Sequence, residues 1–577
     1  MFGRWADLVA IAVLFNVDVR QAGATAVDYP LGPFFTVTVD VNSTSVGVAN
    51  SNGEQVWKSA SDRAFISAST GLTTITQSSG NFELSSKNVG TPCQNVTILG
   101  VTASDEHVGL NAYESLREEA FFGLGEQTGI GNLRGWRIPA GSYGISVHRL
   151  WWNWEPDLTL YPSWAKWVPK LRADYDVRTM SYVNTLLTNV STKSTGYNNS
   201  FYDIAASEGR FVTNSTAGDD HVWTITSGVG IDAGILDLSN QSTIDWFKTL
   251  MKEQYYSVPI SGMMQDFGEY LAVDDSVSLS QGAVNPRHFH NAYPTVWATL
   301  LHEVVKDLGL ADETIGFHRS AGTFSAKHTN LFWVGDQNID ESREDGLRAV
   351  VSSALHIGAS GFAQTHSDVG GYTNILSAIG NYTRSAALLG RWGELSAFSD
   401  AVFRTHEGNI PQVNAQAYTN ASTLAYHAYN ARLFRSLKAY RLALQTEYQS
   451  YGWPVLRHPI VYSPNDTFAR TVIDESFWVG EALYVVPVYD VVATSLVVYL
   501  PPLELDSHGV RLDNSTSPRY KHLWTSEEFE PGQTVTVDSP WGQPGVFVRW
   551  PVTEEEQVHL QGLWDFVEAE KATVLTA

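Results

Sequence analysis

The chain has 577 residues, too long for one hydrophobic core, so two to four domains are expected. Hydrophobic residues make up 43% and charged residues 17%, which excludes long disorder, and no internal repeat is visible. Thirty-seven basic against 61 acidic side chains give a net charge of −24, a field that repels nucleic acid and anionic membranes, so that an anionic small substrate would need a local cationic anchor.

In chain order, Arg4, an apolar stretch from Leu8 to Phe15 and small residues at Ala22 and Ala24 predict a secretory signal over 1–24, in spite of Asp7. A buried first strand or helix is the alternative, and neither this stretch nor any later one is long enough to span a bilayer. Ten Asn-x-Ser/Thr sequons, at Asn42, Asn95, Asn189, Asn198, Asn214, Asn240, Asn381, Asn420, Asn465 and Asn514, fit a secreted glycoprotein. Cys93 is the only cysteine, so no internal disulfide can form and stability must come from packed cores.

From about residue 28 to 122, Val, Thr and Phe alternate with Ser, Asn and Gly, as in Phe34 to Val41 and Gly71 to Gln77, which predicts antiparallel β-structure. From about 177 to 445 short apolar runs alternate with helical stretches such as Thr295 to Leu308, Arg343 to Ile357 and Leu424 to Tyr448, the pattern of β/α units. Six strand ends can be placed: Val177 to Leu187, Pro259 to Glu269, Ile315 to Ser320, Asn330 to Asp336, Ala359 to Gly371 and Phe398 to Gly408. From about 453 onward, runs such as Leu483 to Tyr489, Ser495 to Leu500 and Val546 to Trp550 return to a β-sandwich pattern. The expected domains are a β-sandwich over 25–135, a (β/α) barrel over 136–450 and a second β-sandwich over 451–577.

Two of the apolar runs end on acids. Asp266 closes the run Gly-Met-Met-Gln, and Asp336 closes Leu-Phe-Trp-Val-Gly. In a barrel of parallel strands the residue ending a buried run emerges at the face that carries active sites. Two carboxyl groups there suit glycoside hydrolysis, which in its retaining form needs one ionised nucleophile and one proton donor about 5–5.5 Å apart. An isolated Asp after an apolar run is more often a helix cap or a loop acid.

The surrounding text changes that reading. Met264-Gln-Asp-Phe-Gly-Glu-Tyr-Leu271, Phe332-Trp-Val-Gly-Asp-Gln-Asn-Ile-Asp340, His366-Ser-Asp-Val-Gly-Gly-Tyr372 and Phe403-Arg-Thr-His-Glu-Gly-Asn409 follow one another in an order that resembles glycoside hydrolase family 31, and within it the sulfoquinovosidases. The resemblance runs from about residue 119 to 550. It implies a (β/α)8-type barrel between two β-domains, with Asp266 as nucleophile and Asp336 as acid/base. It also implies that Arg319 and His406 hold sugar hydroxyls, whereas by themselves they read as an ion-paired arginine and a core histidine. Asp368 reads either as part of the site floor or as a loop cap.

His148-Arg-Leu-Trp-Trp-Asn-Trp154 resembles the segment where sulfoquinovosidases carry the Arg and Trp that bind a sulfonate, which places Arg149 and Trp152 in those roles. A guanidinium gives two parallel hydrogen bonds and an indole N–H adds a third. Tyr372 matches a tyrosine that reaches the sulfonate through water. Trp151 and Trp154 read as packing. His302-Glu-Val-Val-Lys306 and His288-Phe-His290 lack the spacing of a metal site, and Gly123-Leu-Gly125 and Gly129-Ile-Gly131 lack a Rossmann context, so neither metal nor nucleotide cofactor is expected.

The pattern breaks in one interval. Between Gly125-Glu-Gln127, which resembles a late motif of the N-terminal domain, and Arg149 lie 21 residues. In the family the first two barrel strands fall here, and each βα unit needs about 30 residues. The barrel is therefore expected to lack its first two strands, either in a shortened product of an active lineage or in a barrel closed in an unusual way. The function expected is a retaining α-glycosidase acting on α-sulfoquinovosides. The alternatives are an α-glucosidase or α-xylosidase of the same family, or an inert sugar-binding or truncated chain. The oligomeric state is left open.

Overall fold

The computed structural model describes residues 13–15, 26–31, 35–40, 45–50, 52–53, 55–58, 73–78, 81–87, 96–104, 107–115, 152–159, 161–175, 178–190, 196–216, 222–226, 232–322, 324–377, 380–506, 509–510, 512 and 518–571. The chain divides into two units, residues 1–122 with 132–138, and residues 123–131 with 139–577.

In the first unit Ala26–Leu31, Phe35–Asp40, Ser45–Asn50 and Gln55–Lys58 form one antiparallel sheet, and Val13–Phe15, Thr73–Ser78, Asn81–Lys87, Val96–Ser104 and His107–Ser115 form another. The alternation Phe-Thr-Val-Thr-Val-Asp places Val37 and Val39 on one face, fully buried and paired with Val48 and Val46. Val13–Phe15 falls within the stretch read as a signal and pairs with Ile75 to Gln77.

The second unit is built on five parallel strands that neighbour one another in chain order: β1 (Met180–Val183), β2 (Gly262–Gln265), β3 (Ile315–His318), β4 (Leu331–Trp333) and β5 (Thr365–His366). A parallel bridge from Val369 to Thr405 continues the order to a sixth position. Each strand lies inside one of the six runs read from the sequence. The last run, 398–408, keeps only that bridge because a helix extends through Ser399. The chain beyond it is tied on by Ala401 N–H to Thr365 O and by Val369 N–H to Arg404 O, at 2.8 and 2.9 Å. Among the described residues β1 pairs on one side only. The segment 116–151, which contains the interval expected to lack two strands, lies outside the described residues.

The longer helices of this part among the described residues are α1 (Trp164–Tyr175), α2 (Gln241–Leu250), α3 (Tyr293–Asp307), α4 (Leu347–Ala359), α5 (Ala386–Ser399), α6 (Ala421–Ser436) and α7 (Lys438–Tyr451). Every residue of β2 is buried, and Gly262 is needed there because a Cβ would stand 2.6 Å from the Ile315 carbonyl of β3. α3 buries Trp297, Leu300, Leu301 and Val304 at three- and four-residue spacing. α5 is buried on all sides from Leu388 to Ser399, and its Arg391 and Glu394 pair at 2.8 Å. The stretch read as one helix over 424–448 is two, α6 and α7, meeting at Leu437; α6 begins with a capping box between Asn420 and Thr423. Between β1 and α2 the chain makes a small antiparallel sheet of Leu186–Thr188, Asp232–Ile235 and Thr224–Thr226.

The C-terminal part has a six-stranded sheet, Leu456–Arg457, Phe477–Val479, Leu483–Val486, Gly545–Trp550, Arg519–His522 and Glu528–Phe529, and a pair, Ser495–Leu500 with Gln533–Asp538. Trp478, Tyr484, Tyr520 and Phe547 share a core with Val498, Leu500 and Val537 of the pair. The other face of the large sheet, through Phe477, Leu483, Val546 and Val548, packs with Trp392 of α5, Leu433 of α6 and Tyr440 of α7. The chain then turns helical over Glu554–His559 and Gln561–Glu570, which corrects the expectation of β-structure to the end of 451–577. Thr553 and Glu556 form a capping box there, and Leu560, Leu563 and Phe566 complete the helical core. Among the described residues no helix is long and apolar enough to cross a membrane.

Candidate active site

Asp266 follows directly on β2. Its backbone N–H donates to Val183 O at 2.8 Å, so the β1–β2 ladder carries it to the C-terminal end of the strands. The next two residues turn the chain sharply. Phe267 has φ 60° and Gly268 φ 107°, and the Ser320 hydroxyl donates to Phe267 O at 2.7 Å to hold the turn. A Cβ on Gly268 would meet Ser320 Oγ at 2.4 Å, so position 268 needs glycine for both space and dihedral angle. The turn folds the Phe267 N–H back onto Asp266 Oδ1 at 2.8 Å. Oδ2 accepts from the Tyr182 hydroxyl of β1, which in turn accepts from Asn184 Nδ2 at 3.2 Å. Asp266 is 5% exposed, and these donors fix its plane.

Asp336 ends the run that contains β4 and stands more open, its side chain 39% exposed. Thr373 donates its hydroxyl to Asp336 O at 2.7 Å, and the Tyr372 and Thr373 N–H groups donate to Gln337 O at 2.8 and 2.9 Å, pinning this loop to the one after β5.

Arg319, just past β3, joins the two acids. Its Nη1 lies 3.1 Å from Asp266 Oδ1 and 2.9 Å from Asp336 Oδ2, and its Nε donates to Glu269 Oε1 at 2.9 Å. The guanidinium carbon sits 4.2 Å from the centre of the Phe267 ring. Burial works against its charge, but Asp266, Asp336 and Glu269 outweigh burial and hold the guanidinium above its ordinary pKa. The two carboxylate oxygens can be no farther apart than the two contacts laid end to end, about 6.0 Å.

Of the other predicted residues, Trp152 reaches the site through Phe267, the rings meeting edge to face at 5.2 Å. It has φ 61° and lies in a buried segment. Asn153 Oδ1 accepts from Phe201 N–H at 3.3 Å, and Glu155 accepts from the Asn198 and Asn199 N–H groups at 3.1 and 2.9 Å. Trp154 packs on Phe247 at 4.7 Å and is core, as read. Arg149 and Trp151 lie outside the described residues. Tyr372 and His406 meet edge to face at 4.6 Å, and His406 Nδ1 accepts from Gly408 N–H at 3.0 Å in a nearly closed setting. Arg319 is ion-paired, one of the two readings its sequence position allowed. The buried carboxylate of Asp368 pairs with Arg404 at 2.5 Å, and the Arg404 guanidinium lies 5.5 Å from the Phe317 ring and 6.0 Å from Trp333.

Three residues of this constellation escaped the sequence reading. Tyr182 and Glu269 touch Asp266 and Arg319 directly, and Arg404 anchors Asp368. Glu269 and Arg404 stand inside quoted motifs, and Tyr182 sits on a recognised run, so strand register was the missing signal.

A cavity of about 580 Å³ opens at the other end of the strands, lined by Arg178, Ser261, Thr314, Asn330, Gln364 and Tyr448 among others; Asp266, Glu269, Asp336 and Arg319 do not border it. Concavity alone would point away from the acids. The chemistry decides for the C-terminal ends, where the converging charges lie. Among the described residues no group of three or more His, Cys, Asp or Glu is arranged to hold a metal ion.

Parallel strands alternating with helices, with polar residues gathered at their C-terminal ends, define a (β/α)-barrel protein of the kind that presents a reactive site there. The sequence profile described as the glycosyl hydrolases family 31 TIM-barrel domain matches residues 132–437, and the chain belongs to this family. It is similar to a sulfoquinovosidase of Agrobacterium fabrum, 33% identical over 402 residues, which covers 70% of this chain and 55% of that protein. A sulfoquinovosidase of Escherichia coli is 31% identical over 401 residues, 70% of this chain and 54% of that one. The chain thus spans about half the length of the curated relatives it matches. Among solved structures, a family 31 sulfoquinovosidase from E. rectale bound to an aza-sugar inhibitor superposes with TM-score 0.62 at 30% identity, over 74% of this chain and 57% of that one. A xylosidase from Aspergillus niger shares the fold with TM-score 0.57 at 14% identity, over 93% of this chain and 99% of that one.

Proposed function

We propose that the chain is a retaining α-glycoside hydrolase of sulfoquinovosides, with Asp266 as nucleophile and Asp336 as acid/base. The observation that carries this reading is the single Arg319 nitrogen touching both carboxylates, which keeps Asp266 Oδ1 and Asp336 Oδ2 within about 6.0 Å of each other. That spacing supports double displacement, for which about 5–5.5 Å is usual, over inversion, which needs about 6.5–9.5 Å to admit a water.

In the first step Asp266 attacks the anomeric carbon while Asp336 protonates the departing oxygen; in the second Asp336 takes a proton from water, which attacks the glycosyl ester and releases Asp266. The Arg319 guanidinium contacts both acids, and because a neighbouring cation opposes protonation of a carboxylate, a sugar hydroxyl taking the place of Asp336 on Arg319 would favour the proton-donating form of Asp336. His406, beside Tyr372, is the second proposed hydroxyl contact.

The sulfonate reading rests on the named relatives and on Trp152, whose ring stands against Phe267 next to the nucleophile. Arg149 supplies the local cation that a net charge of −24 would demand. Tyr372 closes the same pocket in this reading. We further infer that the protein is secreted, from the leader-like N-terminus and the ten sequons.

A chromogenic α-sulfoquinovoside assayed beside the matching α-glucoside tests the substrate. Sulfonate preference is expected, and preference for the glucoside would sink the claim. D266N should abolish turnover and keep binding; surviving activity removes Asp266 from its role. The competing reading of an inert sugar-binding chain draws on β1 pairing on one side among the described residues. Binding by the unsubstituted protein without hydrolysis would favour it.

A further inference from the structure

Arg319 uses three nitrogens on three acids, but Glu269 uses only one oxygen in return. Its Oε1 accepts from both Nε, at 2.9 Å, and Nη2. The other oxygen, Oε2, is shut off from solvent and accepts from no donor among the described residues, although the side chain as a whole is 38% exposed. A carboxylate oxygen can only accept, and one left dry without a donor is costly, so a turn of this part-exposed side chain that offers Oε2 to a donor arriving from outside is favoured.

The position is built by the fold. The positive dihedral angles of Phe267 and Gly268 and the Ser320 bond to Phe267 O turn the loop so that Glu269 faces Arg319 on the edge away from Asp336. The next residue, Tyr270, stands 43% exposed with its ring 4.9 Å from Phe267, edge to face, and 5.8 Å from the Arg319 guanidinium. A carboxylate acceptor beside an exposed aromatic ring suits a hydroxyl on a carbon skeleton: the ring takes the C–H face and the oxygen takes the O–H. It repels an anion, which orients any negatively charged part of a substrate toward some other wall.

We propose that Glu269 Oε2 is a hydroxyl subsite of this active site, taking an O–H of the bound glycoside, with Tyr270 as its apolar wall. The proposal rests on the glycosidase reading of Asp266 and Asp336. The hydroxyl comes either from the sugar ring or from a polyol leaving group, and the test separates the two.

The test compares E269Q with the unsubstituted protein on a glyceryl α-glycoside, an aryl α-glycoside and the monodeoxy forms of the aryl glycoside, built on whichever sugar the unsubstituted protein hydrolyses. Gln keeps an oxygen for Arg319 and replaces the free acceptor by a donor. kcat/KM should fall about tenfold or more on every substrate that carries the hydroxyl, and stay near unity on the one that lacks it. Loss confined to the glyceryl glycoside assigns the leaving group, and one insensitive monodeoxy form assigns the ring. An equal ratio on all substrates overturns the proposal, because that is what a residue merely holding Arg319 would give. If the unsubstituted protein hydrolyses none, the glycosidase reading fails separately. Titration with an aza-sugar then decides the subsite, and equal affinity of the two proteins, or no binding by either, overturns it.

Discussion

Replacing Tyr182 with Phe removes one hydroxyl from beside Asp266, the proposed nucleophile, and leaves its ring in the core. Asp266 keeps the Phe267 N–H at 2.8 Å and Arg319 at 3.1 Å and loses the Tyr182 hydroxyl from Oδ2. A hydrogen bond to an ionised group contributes about 1.5–3 kcal/mol net. It acts on the two chemical steps with opposite sign. When Asp266 attacks, it surrenders its charge to the ester, so a donor that stabilises the carboxylate restrains it. When the ester is hydrolysed, the carboxylate leaves, and the same donor helps it go. Y182F should therefore slow deglycosylation by up to about 10- to 150-fold, the upper limit applying if the charge is fully developed in the transition state. Glycosylation should change little or quicken. Rapid mixing with an α-glycoside carrying a good aryl leaving group reads this directly, as a burst of aryl alcohol equal to the enzyme concentration followed by a slower steady rate. Asn184 Nδ2, buried and 3.2 Å from the lost oxygen, is left without that acceptor, so stability should fall by about 1–3 kcal/mol in urea titration. A steady rate within twofold of the unsubstituted protein, with no burst, would refute the claim that Tyr182 manages charge on Asp266, even if stability dropped.

Two further outcomes concern the frame around the site. The Asp474 side chain is fully buried and held by Arg343, at 2.7 and 2.8 Å, and by Arg348, at 3.0 and 3.2 Å; the double variant R343M/R348M strands that carboxylate and should cost about 3–5 kcal/mol in urea unfolding, whereas an unchanged midpoint would show the clamp to be idle. Burial pushes the His318 imidazole down to about 3, so from pH 6.5 toward 3 the unfolded chain takes up a proton that the folded chain refuses, and stability falls across that window. H318L should lose about 3 kcal/mol less than the unsubstituted protein between pH 7 and pH 4, and parallel pH curves for the two proteins would contradict this.

The sequence disclosed the strands and the acids because both are local. An apolar run closing on Asp266 or Asp336 is contiguous text, and the rule that strand ends face the site does the rest. Tyr182 could not be read the same way. It meets Asp266 because β1 and β2 pair Tyr182 with Met264, and register is a property of two strands rather than of one. Arg404 was visible in its motif, but its partner Asp368 lies on the preceding run, and only the Val369–Thr405 bridge brings them level. The terminal helices were hidden for a different reason. They are six and ten residues long, too short for a convincing period, although the Thr553 and Glu556 capping box was legible.

The distribution of contacts bears on what a shortened barrel would lose. Among the described residues, Asp266 is positioned by β1, β2 and the start of the loop after β3, and Asp336 by that same loop and the one after β5. These strands neighbour one another without interruption, so the spacing of the two carboxylates is set inside one continuous stretch of sheet. A deletion in the interval 128–148 would leave every one of these contacts in place, because none of them is made by a residue of that interval. Two carboxylates correctly spaced with part of the sugar's contacts missing is a site that pays in substrate affinity first, since contacts made equally in the bound and transition states lower KM without setting the rate of the bound complex. The expected shortening, taken with the proposed roles of the two acids, therefore predicts a raised KM rather than a site that binds its sugar tightly but has lost its chemistry.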